Sequence, residues 1–361
     1  MAALSRQDMY LTPSELVSED PFPHVGNDVT SYLKDFYRTQ FEQERPLLLR
    51  EEHELHLPDV YTDPHIQCRG DIGQSNDVSN VDSLTKIFLQ PKTSTSQRNP
   101  KPKQTTTQRK VRKVHLEGSA GTGKSISCKK LAYDWATGKL TRFLLVFLIE
   151  LRYITGGILD AIFDQILYND MYLFSKQELH DYILQHPDQI LFVIDGLQEV
   201  SSHSKLFQET ILQKCHVLVT SRPYPKPLEL DHCDTFCKIM GYTKENSLNY
   251  AMKFFKDNEE TSRQVLTKVE ETRSLRELAV NPLDIMLICS IWKDTSGILI
   301  SGKTELYMAA IHCLVRRFCS EKGLGFDLKD HSIQQLLRCL GKLAWDGLRK
   351  VSPKLYAPFI P

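Results

Sequence analysis

The sequence has no excess of charge of either sign. Its 361 residues carry 45 Lys+Arg against 45 Asp+Glu, so no global field marks it for a polyanionic partner, and nucleic acid is not expected. It has no long apolar run. The longest, Phe143 to Ile149, stops at Glu150, far short of the ~20 residues that span a bilayer. Met1 to Asp8 holds no apolar leader core. The nine cysteines are odd in number and scattered, which predicts reduced thiols and a cytoplasmic location rather than a disulfide frame. His232, Cys233 and Cys237, with His216 nearby, lack the spacing of a zinc site. No Asn-Lys-x-Asp guanine signature, no internal repeat of the leucine-rich kind and no Ser/His/Asp or Cys/His pattern of nucleophilic catalysis occurs.

Acid is missing altogether between Lys92 and Lys113, where Thr, Ser, Gln and Pro alternate with eight basic residues. Such a stretch cannot bury a core, and residues 92–112 are expected to be a disordered basic linker. Before it, residues 1–91 form an N-terminal extension. There Val29, Tyr32, Leu33, Phe36, Tyr37 and Phe41 recur at helical spacing and predict a helix near 29–44, limited by Pro46.

After the linker, short apolar runs alternate with helical segments. The runs are Val114–Leu116, Phe143–Ile149, Ile190–Ile194, Val217–Val219 and Thr235–Met240, with helices near 124–137, 156–168, 175–186 and 203–214. Continuous rather than alternating apolar runs fit strands buried on both faces of a parallel sheet. Beyond residue 241 only helical periods remain, over 244–257, 261–278, 283–293, 303–321 and 330–350. The expected organisation is an α/β core over 113–240, an all-helical subdomain over 241–325, and a further region from 326 to 361.

Gly118-Ser119-Ala120-Gly121-Thr122-Gly123-Lys124-Ser125 is a complete G-x-x-x-x-G-K-[ST] phosphate loop, set between a strand and a helix as the motif requires. The glycines permit unusual backbone angles and close approach to phosphate oxygens. Lys124 is placed for the β- and γ-phosphates, and the Ser125 hydroxyl for Mg²⁺. Ile190 to Asp195 is an apolar strand ending in a carboxylate, which places Asp195 to hold Mg²⁺ through water. Val217 to Val219 runs into Thr220-Ser221-Arg222-Pro223, a polar cluster at a strand end where ligands of open α/β sheets sit, with Arg222 a candidate γ-phosphate contact.

These stretches resemble the NACHT domains of signal-transducing (STAND) ATPases, the NOD-like receptors among them. The matching segments are Gly118–Ser125 running into Lys130–Ala136, Glu150-Leu151-Arg152, Asp195-Gly196-Leu197-Gln198-Glu199, Thr220–Pro223, Gly241-Tyr242 with Tyr250, and Asn281-Pro282-Leu283. The resemblance implies an AAA+-like P-loop NTPase core, a helical subdomain and the start of a winged helix. It implies ATP or ADP with Mg²⁺ between core and helical parts, exchange that controls an innate-immune or cell-death-type signal, and protein partners or self-association through this region. On it, Lys124 and Ser125 bind phosphate and Mg²⁺, Asp195 positions the metal, Glu199 is the water-activating carboxylate, Arg222 is a sensor and Pro282 packs on adenine.

Three departures temper turnover and reach. Gln198 stands where the family usually has a second acid, and an amide is no general base, so Glu199 acts alone or hydrolysis is weak. The segment Leu336–Leu348 resembles only the entry to a winged helix. No leucine-rich sensor is present. The expectation is therefore a switch that hydrolyses slowly at most. The alternatives are an actively hydrolysing AAA+-like ATPase and a truncated regulatory module that acts on full-length NACHT proteins through Val29–Phe41 or the helical region.

Overall fold

The computed structural model describes residues 23–44, 56–69, 78–89, 112–167, 175–197, 204–223, 233–256, 258–295, 302–323 and 331–351. Residues 1–22, nearly all of the basic linker, Gln198, Glu199 and His232 lie outside them. The chain divides into two compact units: Met1–Phe41, Ile66–Ser119 and Lys124–Ile239 make the first, and Glu42–His65, Ala120–Gly123 and Met240–Pro361 the second.

The first unit is built on a seven-stranded sheet. Its strands are β1 His65–Arg69, β2 Val78–Val81, β3 Lys113–Glu117, β4 Leu145–Glu150, β5 Ile190–Asp195, β6 His216–Ser221 and β7 Thr235–Gly241, in the order β2-β1-β7-β3-β6-β5-β4. The pairs β7–β3, β3–β6, β6–β5 and β5–β4 are parallel, and β1–β2 is antiparallel. Every residue of β5 and β6 is buried, as continuous apolar strands covered on both faces must be. The fold is thus an α/β core with a mostly parallel sheet, and the phosphate-loop motif follows its strand β3. The antiparallel β1–β2 edge, drawn from the N-terminal extension, was not expected.

Among the described residues eight α-helices precede β7: α1 Pro23–Gln43, α2 Leu57–Val60, α3 Leu84–Leu89, α4 Lys124–Ala136, α5 Ile158–Gln165, α6 Lys176–Gln185, α7 Ser204–Phe207 and α8 Thr210–Lys214. The expected helix over 203–214 is two short ones. Glu209, between them, turns its carboxylate to the backbone N–H of Ile158 at the start of α5. A tertiary cap thus overrides local helical continuity. In α1, Val29, Leu33, Tyr37 and Phe41 follow one another at intervals of four and all are buried. Tyr37 meets Trp135 edge-on and Phe41 stacks on Tyr133. This corrects the notion that Val29–Phe41 offers a partner-binding face, because its apolar side is consumed within the core.

The cysteines also depart from expectation at one pair. Cys68 on β1 and Cys237 on β7 are disulfide-bonded, while the other seven are free thiols. These two strands are sheet neighbours, a proximity that their separation of 169 residues hid.

The second unit is helical. It holds α2 and then α9 Lys244–Phe254, α10 Glu259–Glu271, α11 Arg273–Ala279, α12 Pro282–Thr295, α13 Lys303–Glu321 and α14 His331–Val351. Thr243 and Asn258 cap α9 and α10 through side-chain oxygens that accept N–H bonds. Residues 61–63 are pinned to α9 and its entry: Tyr242 Oη donates to the Thr62 carbonyl, Asn246 Nδ2 to that of Asp63, and Lys253 Nζ to that of Tyr61. Among the described residues no strand follows β7, and no helix is long and apolar enough to cross a membrane.

Candidate functional site

The phosphate loop leaves the end of β3. Its first amide is fixed at once, since Gly118 N–H donates to the Ser221 carbonyl on neighbouring β6 at 3.1 Å. Gly121 and Gly123 have φ of 78° and 97°, the left-handed region that side chains avoid. At Gly121 space is lacking as well: a Cβ there would lie 2.7 Å from Asn281 Oδ1. That side chain is held in turn, with Nδ2 donating to the Ala120 carbonyl and Oδ1 accepting from Leu283 N–H. Leu283 N–H also donates to the Gly121 carbonyl.

Helix α4 then starts at Lys124. Its first turn contains no acidic residue, so nothing in that turn offsets the positive end of the helix. Lys124 Nζ is folded back on the loop, donating to the carbonyls of Gly118 and Ser119 at 2.6 and 2.8 Å. Its pKa is lowered, first by burial and then by the nearby Arg222 guanidinium, with Asp195 partly opposing both.

Asp195 ends β5 and is buried. Oδ1 accepts a short hydrogen bond from Thr220 Oγ1, and Thr220 Oγ1 accepts from Gly196 N–H at 2.9 Å. One residue on, the Ser221 hydroxyl meets His115 Nε2 of β3 at 2.8 Å. Glu150 lies beside Asp195 in the β4–β5 register, and its carboxylate is engaged by Arg152. Beneath these groups the Cys128 thiol is fully buried, and burial followed by the Asp195 charge pushes its pKa well up. It is a packing thiol, not a nucleophile.

The structure therefore brings Lys124, Asp195 and Arg222 to one edge of the sheet, near enough that each alters the charge balance at Lys124. Pro282 opens α12, with its Cγ 3.8 Å from the place a Cβ on Gly123 would take. Glu199 lies outside the described residues. Sequence reasoning gave no role to Thr220, Asn281 or Glu150. Their partners follow from strand order and loop packing, which motif spacing does not encode.

A phosphate-bearing ligand suits this edge. Lys124 and Arg222 stand with Asp195 beside a helix start that has no acid in its first turn and a glycine-bent loop, groups that an anion can engage. Among the described residues no cluster of three or more His, Cys, Asp or Glu could hold a metal. Mg²⁺ needs no such cage, because it takes one or two protein oxygens and fills its shell from phosphate and water. The Ser125 hydroxyl and the Asp195 carboxylate are oxygen donors of the kind Mg²⁺ takes.

The chain is similar in sequence to proteins that carry a NACHT domain. The NACHT domain signature matches residues 112–258. NLR family CARD domain-containing protein 4 of Xenopus tropicalis is 25% identical over 308 residues, covering 81% of this chain and 30% of that protein. NACHT, LRR and PYD domains-containing protein 10 of Homo sapiens is 26% identical over 270 residues, covering 65% and 39%. The chain thus spans well under half the length of these curated relatives. Among solved structures, "Structure of C. elegans PCH-2" aligns at a TM-score of 0.30 with 14% identity, over 56% of this chain and 61% of that one. That likeness is too slight to bear on the fold.

Proposed function

We propose that this chain, which carries a NACHT domain akin to those of NLR proteins, is a nucleotide-operated switch. It binds ATP and ADP with Mg²⁺ and uses them for conformational control in innate-immune or cell-death-type signalling, hydrolysing slowly at most. The carrying observation is the joint placement of Lys124, Arg222 and Asp195 at one sheet edge beside the phosphate loop.

In this scheme residues 113–240 are the nucleotide-binding core, 241–325 a helical subdomain and 326–361 the start of a winged-helix region. The backbone N–H groups from Ser119 to Ser125 cradle phosphate oxygens, that of Gly118 being held by the Ser221 carbonyl. Lys124 exchanges its two carbonyl partners for phosphate oxygens, and Arg222 adds a second cation. Bound Mg²⁺ neutralises phosphate charge, with Ser125 and Asp195 as its protein-side partners. Pro282 offers an apolar surface to the base. Glu199 is assigned the orientation of water, and Gln198 beside it supplies no second base.

The test is direct. Purified protein is denatured and the released nucleotide is separated and counted, and ATP is titrated calorimetrically into the native chain and into Lys124→Ala. Retained ADP, with binding abolished by Lys124→Ala, is expected. Unchanged binding by the variant overturns the assignment of the loop. A native turnover on the order of tens per second would favour a working ATPase over a switch.

A further inference from the structure

Strand β6 stands between the strand that delivers the phosphate loop and the strand that delivers Asp195. Two consecutive residues at its end serve the two sides. Ser221 holds the loop, since its carbonyl accepts from Gly118 N–H. Thr220 holds the acid, since its hydroxyl donates to Asp195 Oδ1. Thr220 is fully buried.

The direction of the Thr220 bond is fixed by its second partner. Gly196 N–H can only donate, and it donates to Thr220 Oγ1 at 2.9 Å. The hydroxyl proton is thereby left to Asp195, whose carboxylate accepts it. Gly196 itself has a φ of 91°, which turns the chain just past the acid. The result is a relay of backbone amide, hydroxyl and carboxylate that occupies one oxygen of Asp195. Among the described residues the other oxygen, Oδ2, takes no hydrogen bond.

We propose that Thr220 is a positioning residue for the metal-linked carboxylate: by engaging Oδ1 it fixes the Asp195 rotamer and reserves Oδ2 for the hydration shell of a nucleotide-bound divalent cation. This inference rests on the nucleotide-switch assignment and adds a residue that never touches the ligand. Its consequence is specific. Loss of the hydroxyl weakens the magnesium-dependent part of nucleotide binding and spares the part made by the loop and Lys124.

The experiment is calorimetric titration of ATP, with Mg²⁺ and separately with EDTA, into the native chain, Thr220→Val and Thr220→Ser. Thermal melts confirm folding. Thr220→Val keeps the shape and removes the hydroxyl. It is expected to weaken ATP binding in Mg²⁺ by about 10- to 100-fold, the equivalent of one hydrogen bond to a charged group. In EDTA its affinity is expected to stay within about twofold of native, well below the tenfold step of one such bond. Thr220→Ser, which keeps the donor, is expected to behave as native.

Should Thr220→Val fail to fold, Thr220→Ala removes the same donor without leaving a branched apolar group against the carboxylate. In an Asp195→Asn background, loss of the Thr220 hydroxyl is expected to cost nothing further in Mg²⁺. Equal losses in Mg²⁺ and EDTA would make Thr220 merely structural and overturn the proposal. So would native Mg²⁺ dependence in the hydroxyl-free variant. If the native chain binds no ATP in either buffer, the nucleotide-switch assignment fails first, and this inference falls with it.

Discussion

Tyr37 closes an open sheet edge at Leu148. Its hydroxyl accepts from Leu148 N–H at 2.9 Å and donates to the Val146 carbonyl at 3.0 Å. Strand β4 ends the sheet order, and an end strand presents unpaired backbone groups that invite a second chain. Helix α1 thus supplies a side chain where a further strand would otherwise pair. Burial pushes the Tyr37 phenol well above its ordinary range, so it stays a neutral donor at any physiological pH.

Tyr37→Phe keeps the ring and removes both bonds. A loss of about 1–3 kcal/mol is expected, the cost of leaving buried backbone groups unpaired. Urea denaturation measures it through a lowered midpoint at unchanged slope. A change within about 0.3 kcal/mol, the noise of an ordinary surface substitution, would show that water replaces the phenol and that α1 does not seal the edge.

Gly121 and Gly123 separate two costs. Both have positive φ, but a Cβ on Gly123 meets nothing closer than 3.8 Å, whereas one on Gly121 meets the hydrogen-bonded Asn281 side chain at 2.7 Å. Gly123→Ala should cost the backbone strain alone, about 1–2 kcal/mol. Gly121→Ala should cost that and in addition displace Asn281 from the Ala120 carbonyl. Paired denaturation curves decide the matter, and equal destabilisation by the two variants would mean that Asn281 yields freely.

Asp160 gives a pH dependence with a definite sign. Its carboxylate accepts from Lys176 Nζ at 2.7 Å and from Gly157 N–H at 3.1 Å, and these two partners hold its pKa below the ordinary carboxylate value. The unfolded group therefore binds a proton at higher pH than the folded one. Its stabilising contribution is complete above about pH 4 and fades as pH falls through the depressed folded value. The side chain is largely exposed, so the effect is small. Denaturation midpoints of the native chain and Asp160→Asn should converge as the solution is acidified from neutrality to below that range, and a gap of constant size at every pH would contradict the assignment.

The Cys68–Cys237 bridge predicts a thiol count. Denatured without reductant, the chain should take up seven maleimide labels, and after reduction nine, as mass spectrometry reads directly. Closing so long a loop restricts the unfolded chain, so reduction should destabilise the fold by up to about 5 kcal/mol. Nine labels without reductant would show the pair to be open.

What the sequence disclosed depended on whether a feature was local. Strand β5 is six apolar-to-acid residues in a row, and its burial on both faces was readable from that run. The phosphate loop carries its conformation in its own glycines. By contrast, β1 reads His-Ile-Gln-Cys-Arg and β2 Val-Ser-Asn-Val, too short and too polar to announce strands. They exist because each finds a neighbour, β1 pairing β2 and taking its place next to β7. The expected helix over 261–278 is likewise two, α10 and α11, broken at Thr272, which adopts an extended conformation. Thr220 read only as one member of a polar cluster, because its partner Asp195 comes within reach once β5 and β6 pair.

The order of three strands has a further consequence. With β6 interposed, the phosphate loop on β3 and the acid on β5 stand two interstrand steps apart, roughly 9–10 Å across the sheet. Backbone hydrogen bonds set that interval. Substituting Lys124, Thr220 or Arg222 changes a side chain at one end, but only rupture of the sheet changes the distance between the two strands. The edge is a gauge of fixed span, and the distance between its two ends is decided by the backbone before any side chain takes part.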